Sequence, residues 1–337
     1  MSRARGFRGR TVRRIPDRPS SRGRRSAAGR TRPRRARTAE HRKETLLASR
    51  SSLHGGCFKW RASAPQRSGD VRGPGGGVTP FRDRYGGWAL VAGASEGLGA
   101  SFAECLAERG VDLVLIARRE SLLEELADRL RERYGVEVRP LVMDLGSPGL
   151  GAALAAVAED IDLGVLVYNA AFVPVGRFVD ADAGALERAV DVNVRAPVVM
   201  LHTLLPGLER RGCGAVILMS SLAGLQGTAR VAAYAATKAF NTVLGEGLWQ
   251  ELREQGIDVV ACCAGAIPTP GYKRSGKGRV PGMLDPDAVA RRTLDALGKG
   301  PRFVPGLVNR LVAVLLTRLL SRKAAIRLMA GNTSDIG

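Results

Sequence analysis

The 337 residues are 45% apolar and 25% charged, enough to bury one large core or two small ones. Residues 1–80 hold 22 Lys and Arg against 4 Asp and Glu, so +18 of the formal +20 sits there and the rest is nearly neutral. Five Cys without a CxxC pair and three His, two of them in the basic segment, argue against a disulfide framework, a metal site and His-based acid/base chemistry.

In chain order, the first 80 residues run through Arg-Gly, Arg-Arg and Gly-Pro-Gly-Gly-Gly without any periodic apolar pattern, and are expected to form a disordered tail. Clustered arginines suit nucleic-acid phosphates. The aromatics among them are sparse (Phe7, Phe58, Trp60) and no nucleic-acid-binding fold accompanies them, so no nucleic-acid partner is expected. The Gly and Pro density also argues against an amphipathic transit peptide. Patterned sequence starts at Val78-Thr79-Pro80-Phe81, no Met lies between Met1 and Met143, and Val can be read from a GTG start. The residues before Val78 are therefore expected to lie outside the mature protein.

From Trp88 onward, short apolar runs at 89–92, 113–117, 138–143, 165–168, 215–219 and 259–263 read as buried parallel strands. Longer amphipathic segments separate them; over 120–134, Leu122, Leu126 and Leu130 form a stripe with charges opposite. This alternation predicts an α/β fold with one Rossmann-type, doubly wound parallel sheet in a single domain over 81–305. Residues 306–337 read as an apolar and basic helical extension, packed on that domain or on a partner. Its most apolar part, 307–320, is broken by Asn309, Arg310 and Arg318 and falls short of the ~20 residues of a membrane span. A soluble, cytoplasmic protein is expected, with peripheral membrane contact left open.

After the first strand comes Gly93-Ala94-Ser95-Glu96-Gly97-Leu98-Gly99, then a helical stretch over 101–109. Glycines let the backbone approach a pyrophosphate, and the exposed N–H groups of the helix start bind its charge. The second strand ends Ala117-Arg118-Arg119, where an NAD site would place a carboxylate for the ribose 2′-hydroxyl. Guanidinium groups there suit a 2′-phosphate, so NADP is the expected cofactor. Asp144, followed by Leu145, ends the third strand and can accept from an adenine amino group, while Asn169 after the fourth strand can brace the nucleotide loop.

Ser221 follows the fifth strand, and thirteen residues later Tyr234 and Lys238 lie at i, i+4 on one helix face. An ammonium beside a phenol favours phenolate, which would make Tyr234 an acid/base near neutral pH. Ser221 can donate to a substrate carbonyl oxygen. The spacing GxxxGxG, with Ser, Tyr and Lys downstream, resembles the short-chain dehydrogenase/reductase family from about residue 85 to 293. In the family's terms Asn169-Ala170-Ala171 stands for the Asn-Ala-Gly loop, and Asn193 joins Ser221, Tyr234 and Lys238 in a tetrad, holding a water of a proton relay. Gly265, Ile267 and Thr269 match the segment that meets the nicotinamide, with Ala264 in place of the usual Pro, and Lys238 also holds the nicotinamide ribose.

The resemblance implies an NADP(H)-dependent hydride transfer between a carbonyl and a secondary alcohol, in a homodimer or homotetramer. The substrate is expected to be hydrophobic, contacted by 172–178, 222–230 and a lid over 269–285. Lys273, Arg274, Lys277 and Arg279 in that lid suit an anionic substrate, such as an acyl thioester or carboxylate, or merely solvate it. Two competing readings are a catalytically idle NADP-binding sensor and a nucleic-acid-associated protein acting through its tail. The intact Ser, Tyr, Lys and Asn set weighs against the first.

Overall fold

A computed structural model describes residues 80–331, apart from 271, 273–277 and 279. The N-terminal tail and the lid cations Lys273, Arg274, Lys277 and Arg279 lie outside the described residues. Each apolar run forms a strand: β1 (Trp88–Ala92), β2 (Asp112–Ala117), β3 (Val138–Val142), β4 (Leu163–Tyr168), β5 (Gly214–Ser221) and β6 (Ile257–Ala264). A two-residue β7 (Arg302–Phe303) completes a seven-stranded sheet in the order β3-β2-β1-β4-β5-β6-β7, with every pairing parallel. The doubly wound parallel sheet read from the alternation is what forms.

Strand side chains alternate between two cores, as a period of two requires. Ala89 and Val91 face one core with α2 (Gly97–Ala107), α3 (Glu120–Tyr134) and the helix Pro286–Leu294, here α8. Leu90 and Ala92 face the other with α4 (Leu150–Glu159), α6 (Ala196–Arg211) and α7 (Ala232–Leu252). The remaining helices are α1 (Pro80–Tyr85), α5 (Ala183–Val190), α9 (Leu307–Val314) and α10 (Arg322–Gly331). β1 and β4 are neighbours although they are not consecutive, so the order in which strands are added to the sheet reverses between them. A crevice at the carboxyl ends of such strands is where a parallel sheet places its ligand.

Two local differences from the sequence reading matter for the site. The helix expected over 101–109 starts at Gly97, because the glycine-rich turn supplies its first residues. Helices α5 and α6 run through a π turn, Asp191–Arg195, in which the Ala196 N–H donates to the Asp191 carbonyl. Such a turn marks a local departure from the i, i−4 ladder, often at functional positions.

Candidate active site

A cleft of about 1110 Å³ opens at the carboxyl ends of the central strands. Its floor is the turn after β1. Gly93 has φ +82°, and a Cβ there would stand 2.7 Å from the Ala170 Cα. A Cβ on Gly99 would stand 1.9 Å from the Gly93 carbonyl oxygen, so both positions need glycine for the turn to close on α2. The Asn169 amide donates to that same carbonyl at 3.0 Å, which ties the end of β4 to the turn. Ser95, Glu96 and Leu98 line the cleft; Gly97 and Gly99 shape the turn without lining it.

At the end of β2 the two arginines divide their work. The Arg119 guanidinium lies 3.0 Å from Glu96 Oε2 and 3.1 Å from Ser95 Oγ, clamping the glycine-rich turn. Arg118 is exposed on the cleft rim, and Ala117 behind it is buried. Asp144 and Leu145 line the same end. Both Asp144 carboxylate oxygens lie 2.6 Å from Arg188 Nη2 on α5, and one accepts from the Gly146 N–H at 2.8 Å. Burial alone would raise this carboxyl, but the Arg188 and Gly146 hydrogen bonds, with the charges of Arg188 and Arg118, hold it below the usual carboxylate range.

At the other end, Ser221 is the last residue of β5 and caps a short 3₁₀ turn, Leu222–Leu225, its Oγ accepting from the Ala223 N–H at 3.2 Å. The Ser221 O–H is thereby left to donate. Tyr234 stands in the first turn of α7 and lines the same cleft as Ser221, so the site carries two hydroxyls. Lys238, one turn on, is 2% exposed and donates from Nζ to the Met219 carbonyl at 2.8 Å.

A correction to the sequence reading follows from this geometry. The Lys238 ammonium lies 5.7 Å from the Tyr234 ring centroid with one N–H engaged by the Met219 carbonyl, and burial of the pair opposes the phenolate that the i, i+4 spacing suggests. Burial pushes the Tyr234 hydroxyl up, and the neighbouring Ser221 hydroxyl offsets only part of that. Burial lowers Lys238 to about 8, against a small opposing contribution from Cys262.

A sequence profile for short chain dehydrogenases matches residues 87–279. The chain belongs to the short-chain dehydrogenase family. It is therefore an oxidoreductase. It is 34% identical over 233 residues to a 7beta-hydroxysteroid dehydrogenase of Clostridium sardiniense, covering 68% of this chain and 89% of that one. A solved 7beta-hydroxysteroid dehydrogenase superposes with TM-score 0.70 at 29% identity, over 74% of this chain and 98% of the other. A short-chain dehydrogenase of Sphingobium yanoikuyae, solved in complex with NADPH, superposes with TM-score 0.62 at 33% identity, over 74% and 96%.

A nicotinamide dinucleotide fits the residues present, since the turn at Gly93 and Gly99 leaves backbone where a Cβ would stand and Arg118 offers a cation at the rim. Ala170, Gly265, Ile267 and Thr269 also line the cleft.

Asn193 does not reach the cleft. It is fully buried in the π turn, its amide pairing both ways with the Phe172 backbone at 2.8 Å and donating to Thr237 Oγ1 at 3.1 Å. It thus fixes the loop after β4 against α7. Tyr168 helps by donating to the Val192 carbonyl.

Sequence reading also missed several residues. Arg188 comes from α5, and Ser220 locks α7 to β5 through the Lys238 carbonyl at 2.7 Å and Thr242 Oγ1 at 2.6 Å. Val308, Asn309, Val312 and Met329 of the C-terminal helices line the cleft. Asn309 is buried, donates to the Gly282 and Pro305 carbonyls at 2.9 and 3.0 Å, and packs against Gly265. Its amide on an otherwise apolar helix face was the one available signal. Of the expected substrate contacts, Phe172, Val173, Val175, Leu222 and Ala223 line the cleft, whereas Phe178 points to solvent.

Proposed function

We propose that the chain uses NADP(H) to interconvert a bulky, apolar ketone and its secondary alcohol. The observation that carries this reading is that Ser221 and Tyr234 line one cleft, backed by buried Lys238. When bound, the nicotinamide supplies or accepts the hydride. Ser221 donates to the substrate carbonyl oxygen, and Tyr234, held protonated by burial, delivers its hydroxyl proton to the same oxygen as negative charge develops there. A protonated tyrosine suits reduction. Lys238 sits one turn along the same helix, where it can return a proton to Tyr234 and bind the nicotinamide ribose. Asn193 acts as a positioning residue, through Phe172 and Thr237.

Arg118 supports NADP over NAD, as does the similarity to a dehydrogenase solved with NADPH. The substrate end is walled by Phe172, Val173, Leu222, Val308, Val312 and Met329, which supports an apolar, steroid-sized molecule, as does the 7beta-hydroxysteroid dehydrogenase relative. Exposed Val190, Val198 and Val243 on α5, α6 and α7 offer an apolar area to a second copy, in keeping with a homodimer or homotetramer. The free thiols of Cys105, Cys213, Cys262 and Cys263 suit a reducing cytoplasm. The test is turnover by the purified protein with NADPH against a panel of steroid ketones, other bulky ketones and short-chain ketones. Consumption of NADPH with the bulky members alone is expected; activity confined to the small ketones would overturn the substrate reading.

A further inference from the structure

No described helix is long and apolar enough to cross a membrane. The C-terminal helices nevertheless present a surface that water alone does not explain. On α9, Asn309 and Ala313 face the core, while Leu307, Leu311 and Val314, at i, i+4 and i+7, lie together on the outer side. Leu307 is 71% exposed, Leu311 63%, and Leu319 beyond them 73%. Ile326 and Leu328 of α10 are exposed as well. A helix facing bulk water would carry polar residues there.

Charge surrounds this apolar surface with one sign. Arg310, Arg318, Arg322, Lys323 and Arg327 all lie between Asp295 and Asp335, a stretch with no acidic residue. None of the five forms an ion pair with a described residue; Arg310 donates to the Val304 carbonyl at 3.0 Å and lies over the Phe303 ring, Arg322 donates to the Leu225 carbonyl at 2.8 Å, and Arg318, Lys323 and Arg327 are exposed. Lys323 and Arg327, one turn apart on α10, line an open groove with Leu315, Leu320 and Leu328. Leucines flanked by cations without acidic partners are the pattern of a helix that lies in the headgroup layer of an anionic bilayer.

We propose that the outer face of α9 and α10 docks on the surface of an anionic lipid bilayer. The leucines enter the headgroup boundary, and Arg318, Lys323 and Arg327 meet lipid phosphates. A second copy of the chain fits this face less well, because a two-fold contact would set basic residues against basic residues. The docking also has a use. Val308 and Val312 line the cleft while Leu307 and Leu311, their neighbours on α9, face outward, so the cleft mouth borders the docked surface. An apolar substrate could then pass from lipid to cleft without crossing water. That use rests on the ketone reading; the docking itself does not.

The N-terminal 80 residues carry +18 and would bind anionic vesicles by charge alone, so the readout must be local to the face. Amide hydrogen exchange is measured on the full-length protein alone, with phosphatidylcholine vesicles, and with vesicles containing phosphatidylglycerol. Exchange over α9 and α10 should slow by about tenfold or more with the anionic vesicles only, and should remain slowed at about 0.5 M salt, where screening confines charge attraction to a few ångströms. The double variant Leu307→Asp, Leu311→Asp should lose the protection and keep its turnover of a water-soluble ketone. Unchanged exchange over these helices while the protein still floats with vesicles would overturn the proposal, because the tail alone would then be binding. Protection that grows with protein concentration without lipid would also overturn it, in favour of a second copy.

Discussion

Replacing Arg118 by Leu, alone and with Ala117→Asp, addresses cofactor choice at the residue the structure singles out. Arg119 is engaged by Glu96 at 3.0 Å and Ser95 at 3.1 Å, so Arg118 is the rim cation left to meet a 2′-phosphate. Hydrogen bonds to a charged group contribute about 1.5–3 kcal/mol each. One or two of them give a preference for NADPH over NADH of roughly ten- to a thousandfold, and the exposure of Arg118 places the effect toward the lower end. Arg118→Leu should lose most of that ratio while leaving NADH use near its starting value. Adding Ala117→Asp should invert it, because a carboxylate there repels the phosphate and accepts from a free 2′-hydroxyl. Arg119→Leu is the internal control: it frees the Ser95–Glu96 turn and should weaken both cofactors together. The assay is kcat/KM for both cofactors in the four proteins. A parent that uses NADH as well as NADPH, or an Arg118→Leu variant with an unchanged ratio, would refute the reasoning.

Two further outcomes follow from the packing. Gly99→Ala places a methyl 1.9 Å from the Gly93 carbonyl, so the turn must move; overpacking of about 1–3 kcal/mol lowers Tm by about 2–10 °C and weakens NADPH binding. A raised Tm, as the better helix propensity of Ala alone would give, would contradict it. Lys238→Met tests the buried ammonium by pH. The folded value is about 8 against an ordinary 10.5, so between those values the unfolded chain holds a proton that the native state has lost, and native stability rises with pH. Urea titrations should therefore show the parent gaining on the variant from pH 8 to about 10.5, with a constant difference at lower pH. A difference that stays constant across that window would contradict the burial of the charge.

Local periodicity made most of the fold legible. The stripe of Leu122, Leu126 and Leu130 delimits α3 to its end residues, and the six apolar runs mark the six longer strands. β7 escaped because two residues carry no period. In the site, the glycine-rich turn, Ser221, Tyr234 and Lys238 come together as their spacing indicates, since a strand, a turn and one helix face place them. What sequence could not give were contacts set by the tertiary fold. Arg188 meets Asp144 across 44 positions of chain, and Asn309 reaches Gly265 and Gly282 from a helix whose leucines promise only packing. The Tyr234 proton affinity failed for a related reason: i, i+4 spacing puts Lys238 on the right face, but the depth of the pair and the Met219 carbonyl decide what its charge does.

The central claim, that Tyr234 delivers the proton in an NADPH-dependent ketone reduction, is tested most directly by Tyr234→Phe. The substitution removes the transferable proton and keeps the ring in place. With the bulky ketone that the parent turns over best, kcat should fall by about a hundredfold or more, while NADPH binding followed by its fluorescence stays within about twofold of the parent. Near-parental turnover in Tyr234→Phe would contradict the account.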